Sequence, residues 1–152
     1  MIVRTIPFPE KLFPRISNGY FKFELLEIDG KSEVLEELMK LRKNNQKDFK
    51  KLLATLVIQV HADTLIKDQR RLNRGIKCPD ILEYKSNKGS YRLFGFLGTD
   101  NKIIICTNTY NKTTSKKKKQ DAAFEKAKGL KSKYDSYVRR EECQQQNNFY
   151  KN

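Results

Sequence analysis

The chain has 152 residues, 38% of them hydrophobic, which suits one domain with a modest core and excludes two independent cores. Its 32 Lys and Arg face 18 Asp and Glu, and the formal net charge of +14 is unevenly spread: residues 1–65 carry a net of +2 and residues 66–152 a net of +12. A field concentrated in one half points to a polyanionic partner, and no apolar run reaches membrane-spanning length, which excludes a transmembrane segment.

A lysine- and asparagine-rich composition also follows from AT-rich coding, but that bias does not explain why the excess avoids the first 65 residues. Cys78, Cys106 and Cys143 have no CxxC spacing, so a zinc site or redox dithiol is not expected. Three reduced thiols in a reducing cytoplasm are expected instead. The opening MIVRTIPFPEKLFPR lacks the apolar run of a secretion signal, which also favours a cytoplasmic location.

Residues 1–18 hold three of the four prolines and read as an irregular arm. Asn18-Gly19 makes a turn into Tyr20–Ile28, a run of β-formers that predicts a strand, and Asp29-Gly30 closes it. Ser32 is placed to cap a helix, with Glu33, Glu36 and Glu37 in its first turns and Val34, Leu35, Leu38 and Leu41 on its apolar face. Asn44-Asn45 breaks it. A second helix follows, with Phe49, Leu52, Leu53, Leu56, Val57 and Val60 at helical spacing. The two form a hairpin whose apolar faces need a sheet to cover.

Residues 62–77 carry Lys67, Arg70, Arg71, Arg74 and Lys77 and read as a fraying helix end and basic loop. Three strands are then predicted over Ile81–Lys85, Ser90–Leu97 and Lys102–Tyr110. Ser86–Gly89 and Gly98–Asn101 link them into an antiparallel meander. After the basic run at 111–119, residues 120–138 favour helix, with Ala122, Ala123, Phe124, Ala127, Leu130, Tyr134 and Tyr137 as its inner face. Gly129 weakens it by roughly 1 kcal/mol. Residues 139–152 read as a loosely ordered tail. The expectation is one α+β domain over residues 1–152. It has a mainly antiparallel four-stranded sheet, the two-helix hairpin on one face and a C-terminal helix, in the order β-α-α-β-β-β-α.

The familiar catalytic sets are missing. His61 is the only histidine and lies near an apolar stripe, where a structural role is commoner than a catalytic one. There is no HExxH, Walker loop or GxSxG, and Asp80 and Glu83 lack an acidic partner for a two-metal nuclease. No metal or cofactor is therefore expected. What remains is cationic and phenolic, at the strand ends: Glu83-Tyr84-Lys85, Ser90-Tyr91-Arg92 and Thr109-Tyr110-Asn111-Lys112. Alternation puts Arg92 on one face with Phe94 and Phe96, and Tyr110 with Lys112. Each alone is explained by packing or by solvation. Clustered in the basic half, they suit RNA cleavage by the RNA's own 2′-hydroxyl. That chemistry needs a base, a charge to stabilise the phosphorane and an acid for the leaving oxygen.

From Glu33 to about Tyr137 the chain resembles the phage-derived, HigB-like branch of the RelE/ParE toxin superfamily. The resemblance is carried by Asp29-Gly30 after the early strand and by the helical hairpin. It continues in ILEYK (81–85), SYRLFGF (90–96), DNKIIICTNTYNKTT (100–114) and AAFEKAKGLKSKY (122–134). It implies a metal-independent mRNA endoribonuclease, acting mostly in the ribosomal A site and neutralised by a cognate antitoxin, acidic or DNA-binding. The same resemblance implies a catalytic set of Lys85, Arg92, Tyr110 and Lys112. Arg74 and Lys77 correspond to the basic loop before the sheet. Arg70, Arg71 and Lys116, Lys117, Lys118 and Lys119 complete the basic surface expected to bind nucleic acid.

The chain departs from the family in having Asn111-Lys112 where a double lysine is common. It also lacks a downstream proline and has about 18 extra residues before the first strand. Two other readings share the fold: a ParE-like inhibitor of DNA gyrase, and a non-catalytic RNA- or ribosome-binding module.

Overall fold

The computed structural model describes residues 1–112 and 117–150. Strand β1 spans Val3–Pro7 and β2 spans Lys22–Ile28. The turn after β2 needs Asp29 and Gly30 at φ of 51° and 80°, a left-handed pair that glycine takes without strain. Ser32 accepts from the Leu35 amide at 3.3 Å and opens helix α1, Glu33–Asn44. Asn45 ends one helix and starts the next. Its amide donates to the Leu41 carbonyl, and its side chain accepts from the Asp48 amide of α2, Gln46–His61. Strands β3 (Leu72–Arg74), β4 (Leu82–Lys85), β5 (Tyr91–Leu97) and β6 (Ile103–Asn111) follow, then helix α3, Lys117–Tyr150.

The sheet is six-stranded and mixed, in the order β1-β2-β6-β5-β4-β3, with β2 parallel to β6 and its other pairs antiparallel. This corrects the expected four-stranded, mainly antiparallel sheet, although the α+β class and the helical hairpin stand. Both extra strands lie at edges. β1 comes from the supposed arm, where Val3-Arg4-Thr5-Ile6 are β-formers and Pro7 is tolerated because it ends an edge strand. The rest of the arm is core: Phe8, Phe13 and Ile16 are buried, and Phe13 meets Phe8 and Phe49 edge to face. β3 comes from the segment read as a basic loop. The tail expected to be loose continues α3 as far as Tyr150, with residues 139–148 exposed.

The sheet separates two cores. On one face α1 and α2 cover Phe23, Leu25, Tyr84, Leu93, Ile104 and Cys106. On the other, α3 presents Ala123, Phe124, Ala127, Leu130, Tyr134 and Tyr137 to Phe94, Phe96 and Ile105, while Ala122, expected on this inner face, is exposed. Gly19 is where the chain passes closest to α2. A Cβ there would lie 2.2 Å from the Val60 carbonyl oxygen, next to the Phe21 amide that donates to that oxygen. None of the helices among the described residues is long and apolar enough to cross a membrane. Because Phe13 is 1% exposed, Phe13→Ala is expected to destabilise the protein by about 3–5 kcal/mol in chemical denaturation. An unchanged midpoint would restore the reading of residues 1–18 as an appended arm.

Candidate nucleic-acid interface

Three of the four expected catalytic side chains stand in one row. Lys85 of β4 pairs with Arg92 of β5, and Arg92 pairs with Tyr110 of β6. Directly opposed residues share a face, with Cβ atoms roughly 5 Å apart from strand to strand. The row lies on the α3 side, as Glu83, Phe94 and Asn108 form the next row inward, and Asn108 donates to the Ala123 carbonyl of α3 at 3.2 Å.

A bulge makes this alignment possible. β6 has one extra residue, Thr107, opposite the step from Phe94 to Gly95. Thr107 donates to the Asn108 side-chain oxygen at 2.7 Å and also contacts the Phe94 carbonyl at 3.3 Å. Past the bulge, Thr109 turns to α1, where Glu37 accepts from both its amide and its hydroxyl. Tyr110 turns to α3.

The end of β4 is fixed from the other side. Thr55 of α2 donates to the Lys85 carbonyl at 2.8 Å and accepts from Arg71 at 3.0 Å, while the Lys85 amide donates to the Arg71 carbonyl. Deeper in the same core, Tyr84 donates to Gln59 at 2.8 Å, and burial pushes its phenol well above the usual 10.0.

Arg92 is 8% exposed. Its Nη1 donates to the Gly89 and Tyr91 carbonyls at 2.9 and 3.0 Å. Its Nε, the Tyr110 hydroxyl and Glu83 Oε1 are buried and have no hydrogen-bond partner among the described residues. The other Glu83 oxygen accepts from Gln120 at 2.9 Å. Burial lowers the Arg92 guanidinium from its usual value, against the charge of Glu83. Lys85 donates to the Gln69 carbonyl at 2.9 Å. Burial lowers its ammonium from the usual 10.5, Arg92 and Lys112 push the same way, and Glu83 opposes them. Lys112 itself is exposed just past β6, and its amide donates to the Ser90 carbonyl at 2.7 Å. It joins the row through its field rather than through the strand register.

The wider basic set divides. Arg70 is held by Asp68 through two bonds of 3.1 Å and keeps that carboxyl below its usual range, so it is a local ion pair more than a free phosphate contact. Arg71 is tied to Thr55. Arg74 and Lys77 line a cleft between β3 and the start of α3. Lys119 is exposed. Lys116 lies outside the described residues, as does Thr113, and so do the side chains of Lys117 and Lys118. His61 is exposed at the end of α2, away from the structural position expected of it. Cys78 and Cys106 are buried, Cys143 is exposed and all three are free thiols.

Sequence reading missed the role of Glu83, Asn108 and Gln120 around the row. Glu83 was within reach, since it lies two residues before Lys85 and must share its face.

Compared with family models, with curated proteins and with solved structures, the chain matches none of them.

The charge of Lys112 acts on Lys85, so Lys112→Gln is expected to raise the Lys85 pKa, read from its Nζ chemical shift across a pH titration. The sign carries into stability. With a folded-state pKa below the unfolded 10.5, Lys85 opposes folding while protonated, and this opposition fades as pH rises from the folded value toward 10.5. Lys112→Gln narrows that window. An unmoved Lys85 resonance would mean that the two ammonium groups do not interact.

Proposed function

We propose that the chain is a metal-independent endoribonuclease of the RelE/HigB toxin type, cutting translated mRNA in the cytoplasm and held in check by a cognate antitoxin. The observation that carries this reading is the row Lys85–Arg92–Tyr110, three strands wide on one face, with Lys112 at its margin. Strand spacing makes the row roughly 10 Å across, the scale of one phosphodiester and its flanking sugar oxygens.

Each step of transesterification has a group of the right kind. A 2′-hydroxyl attacks the phosphorus and gives its proton to the neutral form of Lys85, whose depressed pKa makes that form more abundant. Negative charge on the phosphorane falls to the field of the Arg92 guanidinium, which is held beside Lys85 in the row. The bond to the 5′ oxygen breaks, and Tyr110 supplies the proton that leaves with it. The products are a 2′,3′-cyclic phosphate and a 5′-hydroxyl. Nucleotides reach the row along the basic half, steered by a net charge of +12 in residues 66–152.

Induced expression is expected to stop growth and to cut mRNA within codons. Arg92→Ala and Lys85→Ala are each expected to lower cleavage by about 10²-fold or more while keeping the circular dichroism of the parent. Full toxicity of both folded variants would reject the site. Growth arrest with intact mRNA and a DNA-damage response would replace this reading with poisoning of DNA gyrase.

A further inference from the structure

A cleft of about 480 Å³ opens beside the row, between β3, the loop at 75–78 and the first turns of α3. Its features do not suit a purely structural gap. Ile76, at its rim, is 100% exposed, an apolar side chain held wholly in water. Arg74, Lys77, Asp121 and Glu125 also line it, as does Phe124, whose ring lies edge to face with Phe94 at 4.9 Å. At the bottom is Glu83, fully buried, with Oε1 lacking a hydrogen-bond partner among the described residues. Leaving a buried carboxylate oxygen unmatched is costly, and a ligand in the cleft that donates to it removes that cost.

We propose that this cleft is a base-recognition pocket for guanine, with Glu83 accepting from the guanine ring N–H and 2-amino group. The inference rests on the ribonuclease reading and adds base preference to it. A carboxylate only accepts, so it matches an edge with two adjacent donors. Guanine offers that edge. Cytosine and adenine place an amine beside an acceptor nitrogen, and uracil flanks its one N–H with carbonyls. Gln120 rehearses the contact, because its amide NH₂ already occupies Glu83 Oε2 from a half-buried position on α3. Swinging that side chain toward solvent frees both oxygens for the base.

The spacing agrees. Glu83 and Lys85 lie two residues apart on one face of β4, roughly 6.7 Å along the strand. A base held at Glu83 therefore puts its own sugar and phosphate beside the Lys85–Arg92 pair. Phe124 offers the base a ring face, and Ile76 offers apolar cover at the mouth.

Calorimetric titration of the full-length protein with 3′-GMP, 3′-IMP, 3′-AMP, 3′-CMP and 3′-UMP at one salt concentration tests the pocket. The guanine nucleotide is expected to bind roughly tenfold tighter than the other four. The inosine nucleotide differs from it only by lacking the 2-amino group, so that comparison needs no altered protein. Glu83→Gln is expected to abolish the preference, and Arg92→Ala to weaken all five alike. Equal binding of all five, or of none, overturns the pocket, as does a preference that survives Glu83→Gln. Should mixed-sequence single-stranded RNA bind while the five show no preference, the ribonuclease reading stands without the pocket. Should that RNA also fail to bind, both fall.

Discussion

Lys85, Arg92 and Tyr110 can share one row only if three strands hold a single register, and here one extra residue sets it. The bulge at Thr107 shifts β6 by one position relative to β5, so Phe94 faces Asn108 while Gly95 faces Cys106. A strand without it would alternate unbroken from Cys106, and Tyr110 would turn to the α1–α2 side, into a core of Leu93, Tyr84 and Cys106. The hydroxyl of Thr107 bonds within the bulge, and Glu37 grips Thr109 immediately beyond it. The register is thus anchored from both faces. Gly95, where a Cβ would lie 2.7 Å from the Ile105 carbonyl oxygen, allows the close approach that the bulge demands.

A cationic row half sunk in protein needs an answer to its own repulsion. Lys85 and Arg92 are neighbours, and burial makes water a poor screen between them. Glu83 supplies the opposite charge, acting on both, yet forms no ion pair with either within 4 Å among the described residues. The difference matters. A carboxylate locked onto Arg92 would occupy its donors, whereas one at longer range lowers the cost of burying the cation without taking them. Glu83 is spent neither on Arg92 nor fully on Gln120.

The elements that sequence alone made legible are those with strong local signals. Ser32 as a cap, Asn45 as a break, the stripe of α2 and the two hairpin turns before β5 and β6 all emerge where the residues place them. The pairing of Lys85 with Arg92 was within reach because strand alternation and a short turn leave little freedom to β4 and β5, whereas the place of Tyr110 in the row was not. Long-range pairing hid the rest. Val3–Pro7 is short and proline-flanked, and becomes a strand only because β2 offers it an edge. Leu72–Arg74 carries the charges of a loop and is strand only beside β4. The parallel pairing of β2 with β6 joins segments about eighty residues apart, which no window of sequence contains. The bulge at Thr107 was equally hidden, since it is defined by what β5 does opposite it.

The two faces of the sheet divide the work, and the uneven charge follows from that division. The hairpin face is closed by aliphatic and aromatic side chains, with Gln59 accepting from the buried Tyr84 phenol. It needs no net charge, and the first 65 residues that build most of it are nearly neutral. The α3 face is apolar where Ala123, Phe124, Ala127, Leu130, Tyr134 and Tyr137 meet Leu26, Phe94, Phe96 and Ile105. Toward the start of α3 it gives way to Asn108, Glu83, Gln120 and then to the cationic row. That gradient runs along single strands, so the packing that seats α3 on Phe94 also holds Arg92, two residues away, at the border between protein and solvent. Residues 66–152, which carry the net +12, supply β3 to β6 and the whole of α3, so the excess sits with this second face rather than with the hairpin.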